Sequence, residues 1–246
     1  MRLATWNIHA CIGSDGRFDP GRTAAVLCEM QADVIALQEV EHHAVEDSDL
    51  LDYFADATGM QAVSGPTLRR ERRFYGNALL SRLPITDVNR VDLSMDRREP
   101  RGAIDATLQW RDRRLQVIAT HLGLSPLERR RQVRKLLGLL EARRSACTVL
   151  MGDLNEWLLW GRPLRWLRRH FPPTRVLRTW PGRWPLFALD RIWVEPGGVL
   201  KRLWTHPGAL AKRASDHRPL VADLRLEPGR PPGVENPVAL TGDEAS

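Results

Sequence analysis

The chain has 246 residues and carries 37 lysine and arginine side chains against 30 aspartate and glutamate side chains, a formal net charge of +7. Hydrophobic residues make up 43% and charged residues 27%, which excludes a collagen-like, disordered or coiled-coil main body. The length suits one large domain or two small ones. No apolar run approaches the about 20 residues that cross a bilayer, so we expect no integral membrane protein.

The N-terminal segment MRLATWNIHA lacks the basic region, apolar stretch and cleavage site of a signal peptide. Cys11, Cys28 and Cys147 are odd in number and have no CxxC spacing. This pattern argues against a disulfide framework and against a zinc ribbon. We therefore expect a cytoplasmic protein.

Strand-like and helix-like segments alternate along the chain. Asp19 before Pro20 predicts the start of one helix, and Ser125 with Glu128 forms a capping box at the start of another. Helices are predicted at 20–31, 47–58, 126–143 and 163–170. Short apolar runs predict buried strands at 2–8, 33–39, 77–81, 103–108, 115–120, 147–153, 191–194 and 220–226. We expect one α/β domain over 1–226 and a disordered, Pro- and Gly-rich tail over 227–246.

Polar side chains stand at the ends of five strand-like segments, where apolar packing does not require them. Each alone has an ordinary explanation, such as a turn cap, a surface ion pair or a buried hydrogen bond. Loops at strand ends are also where α/β proteins place their chemistry. Together these residues predict one functional site: Asn7, Glu39, His121, Asp153, Asn155, Asp216 and His217.

Eight short motifs extend this pattern over nearly the whole chain, from Arg2 to Leu226. They are TWNIH (5–9), ALQEV (36–40), GNALLSRLPI (76–85), RGA (101–103), ATHL (119–122), GDLNEW (152–157), LDRIWV (189–194) and SDHRPL (215–220). In residue types and in order they resemble the endonuclease/exonuclease/phosphatase superfamily, which includes DNase I, AP endonucleases, sphingomyelinases and inositol-polyphosphate 5-phosphatases. GDLNEW and the later WPLFALDRI resemble an uncharacterised bacterial branch. His121 disfavours the AP endonucleases, which generally lack a histidine at that position.

The resemblance implies an α/β (α+β) fold, the DNase I-like four-layer sandwich, in which two mixed β-sheets pack face to face between helices. It also implies hydrolysis of a phosphoester with a divalent metal, Mg²⁺ or alternatively Mn²⁺. Glu39 would be the main metal ligand, with Asn7 and Asp216 close by. Carboxylates suit Mg²⁺, which neutralises charge on phosphoryl oxygens.

The catalytic roles are carried over in the same way. Asp153 would activate or orient the attacking water, and Asn155 would hold the phosphate or the water. Asp190 and His217 would pair, and the carboxylate would fix the imidazole tautomer. His217 would act as a base or as a cationic phosphate clamp, so the base is either Asp153 or His217. His121 would contact the phosphate or protonate the leaving group.

Two further residues would contact the phosphate, and each has a structural alternative. Asn77 either makes this contact or forms a turn at a strand end. Arg101 either makes it or is one of many surface arginines. For Asp190, the alternative to pairing with His217 is a surface ion pair with Arg191.

Arginine and tryptophan are concentrated after GDLN. Residues 156–213 hold 12 lysines and arginines against three acids, and seven of the nine tryptophans. Arginine and aromatic rings grip nucleic acid, but they also seat proteins on anionic membranes. In a third interpretation the tryptophans are core residues and the arginines a solvated face. Trp157 is the candidate substrate contact in this segment.

The sequence therefore predicts a metal-dependent phosphodiesterase or phosphatase, monomeric, acting on nucleic acid or on a phospholipid headgroup. In the second case residues 156–184 would contact the inner membrane surface peripherally. The alternative is a non-catalytic module of the same fold that binds phosphate or membrane, and a metal-binding titration separates the two.

Overall fold

The computed structural model describes residues 1–41, 44–45, 48–70, 73–142 and 145–226, so the tail predicted for 227–246 lies outside the described residues. None of the helices in these ranges is both long and apolar enough to cross a membrane. The helices are α1 (Pro20–Met30), α2 (Leu50–Thr58), α3 (Pro126–Ala142), α4 (Arg162–Leu167) and α5 (Ala211–Ala214). The strands are β1 (Arg2–Asn7), β2 (Val34–Glu41), β3 (Ala44–Val45), β4 (Ser48–Asp49), β5 (Gln61–Arg70), β6 (Arg73–Ser81), β7 (Ile85–Asp92), β8 (Gly102–Trp110), β9 (Arg113–His121), β10 (Cys147–Asp153), β11 (Asp190–Glu195), β12 (Leu200–Thr205) and β13 (Leu220–Leu224).

Most of the strands form two mixed sheets. One has six strands in the order β12-β13-β1-β2-β6-β5, and the other has five in the order β11-β10-β9-β8-β7. β1 pairs with β2 in parallel, β9 pairs with β10 in parallel, and the other pairs within these sheets are antiparallel. Each sheet therefore brings the carboxyl ends of two inner strands to one edge.

The sheets pack face to face because their inner strands are apolar on both faces. One buried cluster lies between the sheets and includes Leu3, Val117 and Val149. A second lies between the six-stranded sheet and α1, α2 and α5, with Trp6 in it. A third lies under α3 and α4 and includes Trp193. The result is four layers, helices–sheet–sheet–helices, which confirms the expected DNase I-like sandwich.

The sequence missed the short strands β3 and β4, the second of which lies within the predicted helix 47–58. Within the two large sheets it located the inner strands and missed three others, β5, β7 and β12. All three are at sheet edges, where one side of the strand has no neighbour and polar side chains are tolerated. β7 shows this most clearly, because none of its eight residues is fully buried. The helix start predicted from Asp19 and Pro20 is the observed start of α1, where Asp19 Oδ1 accepts the backbone N–H of Arg22 at 2.8 Å.

The packing of the cysteines gives a direct test of these layers. Burial raises the pKa of Cys11 and of Cys147 to about 12, whereas Cys28 is exposed. Since the thiolate is the reactive form, one thiol per native chain should react rapidly with Ellman's reagent at about pH 8, and all three after unfolding. Cys28→Ser should remove the rapid phase, and more than one fast native thiol would contradict the packing.

Candidate active site

The polar residues predicted at strand ends converge at one end of the sandwich. Asn7 ends β1, and Glu39 lies near the end of β2, in the six-stranded sheet. His121 ends β9 and Asp153 ends β10 in the other sheet. Asp153 stands opposite both His121 and Asp190 in the strand register. The site is therefore assembled from both sheets.

Asn7 joins the two halves of this site. Its amide Nδ2 donates to Glu39 Oε1 at 2.8 Å and to Asp153 Oδ2 at 3.2 Å. The same Asp153 oxygen lies 3.5 Å from His121 Nε2 and 3.7 Å from His217 Nε2. One carboxylate oxygen is thus within reach of an amide and two imidazoles.

His217 is paired with Asp190 as predicted. Its Nδ1–H donates to Asp190 Oδ2 at 2.9 Å, and both side chains are buried. Burial favours neutral imidazole, but the charges of Asp190 and Asp153 outweigh it and raise the pKa of His217 to about 10. Arg191 donates to the backbone carbonyl of Asp190. Because the Asp190 carboxylate is buried and bonded to His217, it does not form the surface ion pair with Arg191 that was the alternative.

His121 has the opposite electrostatic environment. Burial, with the charge of Arg101 in addition, lowers the pKa of His121 to about 3 against the attraction of Asp153. Arg101 Nη1 donates to His121 Nδ1 at 2.9 Å, and Asn155 Nδ2 lies 3.0 Å from its Nε2. Asn155 Nδ2 also donates to the carbonyl of Leu122 at 2.8 Å. Because Nδ1 accepts from Arg101, the neutral ring carries its proton on Nε2, which faces Asp153 Oδ2 at 3.5 Å.

Two of the site residues have left-handed backbones. Glu39 has φ 56° and Asn155 has φ 49°, a conformation that costs a non-glycine residue about 1 to 3 kcal/mol. At Glu39 the β2–β6 register shifts between Leu37 and Val40, so a bulge turns the carboxylate out of the strand alternation. Such strain is concentrated at functional sites.

The backbone at Gly152 explains why the GDLN motif begins with glycine. Its φ is 144°, and a Cβ there would overlap the carbonyl oxygen of Thr120 on β9. Only glycine lets the two strands approach this closely. The close approach places Asp153 beside His121.

Three carboxylates of the site, those of Glu39, Asp153 and Asp216, lie close together. Within the described ranges, no ion pair joins Glu39, Asp153 or Asp216 to a Lys or Arg side chain. Burial raises the pKa of Glu39, and the charges of Asp153 and Asp216 add to this although Asn7 donates to it. A divalent cation suits such a set of hard oxygen ligands, because it removes the cost of burying like charges together. The residues therefore fit Mg²⁺ or Mn²⁺.

The family model described as "Endonuclease/Exonuclease/phosphatase family" matches residues 4–217. The chain belongs to the endonuclease/exonuclease/phosphatase family. It is 30% identical over 248 residues to "Uncharacterized protein YbhP" of Escherichia coli (strain K12), and the match covers 92% of this chain and 96% of YbhP.

Two solved structures share this fold. An endonuclease/exonuclease/phosphatase from Beutenbergia cavernae DSM 12333 superposes with a TM-score of 0.75 at 24% identity, over 92% of this chain and 71% of that chain. TDP2 of D. rerio, complexed with a single strand DNA product, superposes with a TM-score of 0.67 at 15% identity, over 90% and 97%. At these identities the likeness shows the shared fold alone.

Two residues that the family resemblance suggested lie outside the hydrogen-bonded cluster. Asn77 Nδ2 donates to the backbone carbonyl of Gly102 at 2.8 Å and supports the loop beside Arg101. Trp157 lies at the edge of the site, where its ring contacts the rings of Trp180 and Phe187.

Three residues near the acids were not singled out from the sequence. His9 Nδ1 lies 3.9 Å from Asp216 Oδ1, and Trp180 Nε1 donates to Asp216 Oδ2 at 3.0 Å. Burial and the charge of Glu39 raise the pKa of Tyr75 above its usual range. His9 is part of the TWNIH motif, so that motif contained its signal, whereas Tyr75 immediately precedes GNALL and lies outside it. Trp180 is brought in only by the tertiary structure.

A buried ion pair holds the segment that follows Asn155. Arg129 Nε donates to Glu156 Oε2 at 3.1 Å, and both side chains are almost fully buried. Arg129 also donates to the carbonyl of Gly123 at 3.3 Å. Glu156 Oε1 in turn accepts the backbone N–H of Leu158 at 3.2 Å. The pair fixes the chain between the site and the exposed residues after it.

Glu156→Ala should lower the free energy of unfolding by about 3 to 5 kcal/mol, because it leaves the Arg129 charge buried without a partner. The matched control is Asp223→Ala, which breaks the partly exposed pair with Arg2 and should cost less than about 1 kcal/mol. Urea unfolding of both variants measures the difference. Equal losses would show that the buried pair has no special role.

Proposed function

We propose that this protein is a divalent-metal-dependent hydrolase of phosphoester bonds. The observation that supports it most is the convergence of Glu39 and Asp153, bridged by Asn7, beside a charged His217. Members of the family generally hydrolyse phosphoesters, and the TDP2 relative is recorded with a single strand DNA product. Nucleic acids and phospholipids both contain phosphoester bonds that such a site could hydrolyse.

Glu39 would hold the metal, with Asn7 and Asp216 beside it. When bound, Mg²⁺ or Mn²⁺ would supply positive charge for the phosphoryl oxygens. The two carboxylates suit this role because Glu39 is only half-buried and Asp216 is about two-fifths exposed, while Asn7 is buried. A phosphate group can therefore reach them from solvent.

Asp153 is the proposed base. His217 already carries a proton at neutral pH, because Asp190 and Asp153 raise its pKa, so it cannot accept another. Asp153 would take the proton of a water molecule while the water oxygen forms a bond to phosphorus. The ester P–O bond then breaks, the leaving oxygen takes a proton from solvent water to become an alcohol, and Asp153 returns its own proton to solvent. The charged His217 would hold the phosphoryl oxygens.

His121 and Arg101 are proposed to bind the phosphate from the other side. The pKa of His121 is lowered to about 3, so at neutral pH its ring offers a hydrogen bond but no second proton. This favours a phosphate contact over protonation of the leaving group. Arg101 is buried, contributes the permanent positive charge and holds the His121 ring by donating to its Nδ1.

Removal of the metal or of the acids should abolish hydrolysis of bis-p-nitrophenyl phosphate. EDTA should stop turnover and Mg²⁺ or Mn²⁺ should restore it. Glu39→Gln and Asp153→Asn should each lower kcat/KM by at least about 100-fold. The first removes the charge of the proposed metal ligand, and the second removes the proposed base. The control is Glu141→Gln on the exposed face of α3, which should keep the wild-type rate.

A folded Asp153→Asn variant with the wild-type rate would refute the role of that residue. Isothermal titration with Mg²⁺ addresses the alternative of a non-catalytic module. A wild-type protein that neither binds Mg²⁺ nor turns over the diester would establish that alternative.

The pH dependence separates the two roles considered for His217. If the charged form is the active one, the rate falls as pH rises through its pKa, which lies at about 10 in the wild type. Asp190→Asn removes the nearest negative charge, so this alkaline limb should move to lower pH. Asp52→Asn, an exposed position on α2, should leave the profile unchanged. A rate that instead rises with pH through the shifted pKa would identify His217 as the base.

A further inference from the structure

Four consecutive apolar residues follow the site and all are exposed. They are Trp157, Leu158, Leu159 and Trp160, with 39%, 49%, 41% and 69% of their surface accessible. A run of this length on the surface of a folded protein opposes solubility unless it serves a function. The segment is held in this position, because Glu156 immediately before it is buried and paired with Arg129.

A short hairpin extends the exposed apolar surface. Trp180 and Phe187 bridge its two arms, with the Phe187 N–H donating to the Trp180 carbonyl at 2.7 Å. Trp184 and Leu186 lie between them and are 75% and 62% exposed. The Phe187 ring lies 4.9 Å from the Trp157 ring. Residues 157–160 and 184–187 are therefore continuous, and we call them the apolar ridge.

The apolar ridge borders the proposed active site. The Trp180 indole donates to Asp216 Oδ2 at 3.0 Å, and the N–H of Gly182 donates to the Asp216 carbonyl at 2.5 Å. Arg218 Nε donates to the Gly182 carbonyl at 2.6 Å. The hairpin is thus bonded to the segment that carries Asp216 and His217, so a surface bound by the ridge lies next to the acids.

Exposed arginines are numerous in the chain segment that carries the ridge. Residues 156–184 contain seven arginines, all exposed, and one acid, the buried Glu156. Arg162, Arg165 and Arg169 line, with Trp166, an open depression of about 260 Å³ on α4. Within the described part of the chain, no carboxylate forms an ion pair with these three side chains. The surface presents apolar side chains and uncompensated positive charge together.

We propose that the apolar ridge and the α4 arginines dock the protein on an anionic lipid bilayer. Tryptophan and leucine enter the boundary between headgroups and acyl chains, while arginine contacts lipid phosphates. Resting on the proposed function, the substrate is then a phosphoester of a lipid headgroup in the bound membrane. The site beside the ridge would meet such a headgroup without extraction of the lipid.

The aliphatic members of the ridge favour a bilayer over nucleic acid. Single strands are held by aromatic planes on which bases stack, within a groove of positive charge. Leu158, Leu159 and Leu186 offer no such plane, and contact with water or phosphate leaves their apolar surface exposed. A bilayer buries them, which is favourable in proportion to the apolar area removed from water.

Sedimentation of the full chain with vesicles tests the docking surface. The protein should bind vesicles of phosphatidylcholine with about 30% phosphatidylglycerol, and bind pure phosphatidylcholine at least about tenfold more weakly. Trp160→Ser with Trp184→Ser should reduce binding to the anionic vesicles at least about tenfold. Arg165→Glu with Arg169→Glu should do the same.

The matched control for charge is Arg111→Glu with Arg114→Glu. These exposed arginines are at the β8–β9 turn, at the opposite end of the five-stranded sheet from His121. The control changes the net charge by the same four units as Arg165→Glu with Arg169→Glu. This control should bind as the wild type does. Equal loss in both arginine pairs would mean attraction by overall charge and would overturn the proposal.

Measuring hydrolysis separately from vesicle binding distinguishes a failure of the docking surface from a failure of the proposed hydrolase activity. Glu39→Gln should bind vesicles as the wild type does, and the Trp160→Ser, Trp184→Ser variant should hydrolyse soluble bis-p-nitrophenyl phosphate at the wild-type rate while losing hydrolysis of vesicle lipid. No wild-type binding to anionic vesicles would overturn the docking surface and leave the soluble activity standing. Binding of a single-stranded oligonucleotide that depends on Trp160 and Trp184, without vesicle binding, would assign the ridge to nucleic acid instead.

Discussion

The amide of Asn7 connects the two halves of the molecule at the point where its chemistry is concentrated. It donates at once to Glu39 from the six-stranded sheet and to Asp153 from the five-stranded sheet. Both carboxylates would repel one another in a buried position, and an N–H donor shared between them lowers that cost. This arrangement exists only because the sheets pack face to face with the ends of β1 and β10 at the same edge. The remaining parts of the site are placed relative to this bridge.

Two histidines close to the same Asp153 oxygen are held in opposite charge states. Burial lowers the pKa of both imidazoles. At His217 the charges of Asp190 and Asp153 outweigh burial and raise the pKa, whereas at His121 the charge of Arg101 adds to burial and the pKa is lowered. The distances to Asp153 are similar, 3.5 and 3.7 Å, so the second neighbour decides the difference. Groups whose environments separate their pKa values in this way are suited to distinct roles in one reaction.

Part of the site and part of the apolar ridge lie in one continuous segment. Asp153 and Asn155 are in the site, Glu156 is buried against Arg129, and Trp157 begins the exposed run. The buried ion pair therefore fixes the chain between the proposed catalytic residues and the proposed docking surface. Such a fixed connection would determine where a substrate in a bound surface meets the acids.

The sequence by itself determined the inner strands, the capped helices and the polar residues at the strand ends, because continuous apolar runs, cap residues and misplaced charges are local signals. The sequence did not predict the edge strands β5, β7 and β12, because a strand with one open side needs no continuous apolar run. The tertiary structure decided the partners: it turned Asn77 toward Gly102, added His9, Tyr75 and Trp180 to the neighbourhood of the acids, and exposed Trp160 and Trp184 while burying Trp193. A side chain's charge state and exposure depend on neighbours far away in the chain, and those neighbours are chosen only when the two sheets meet.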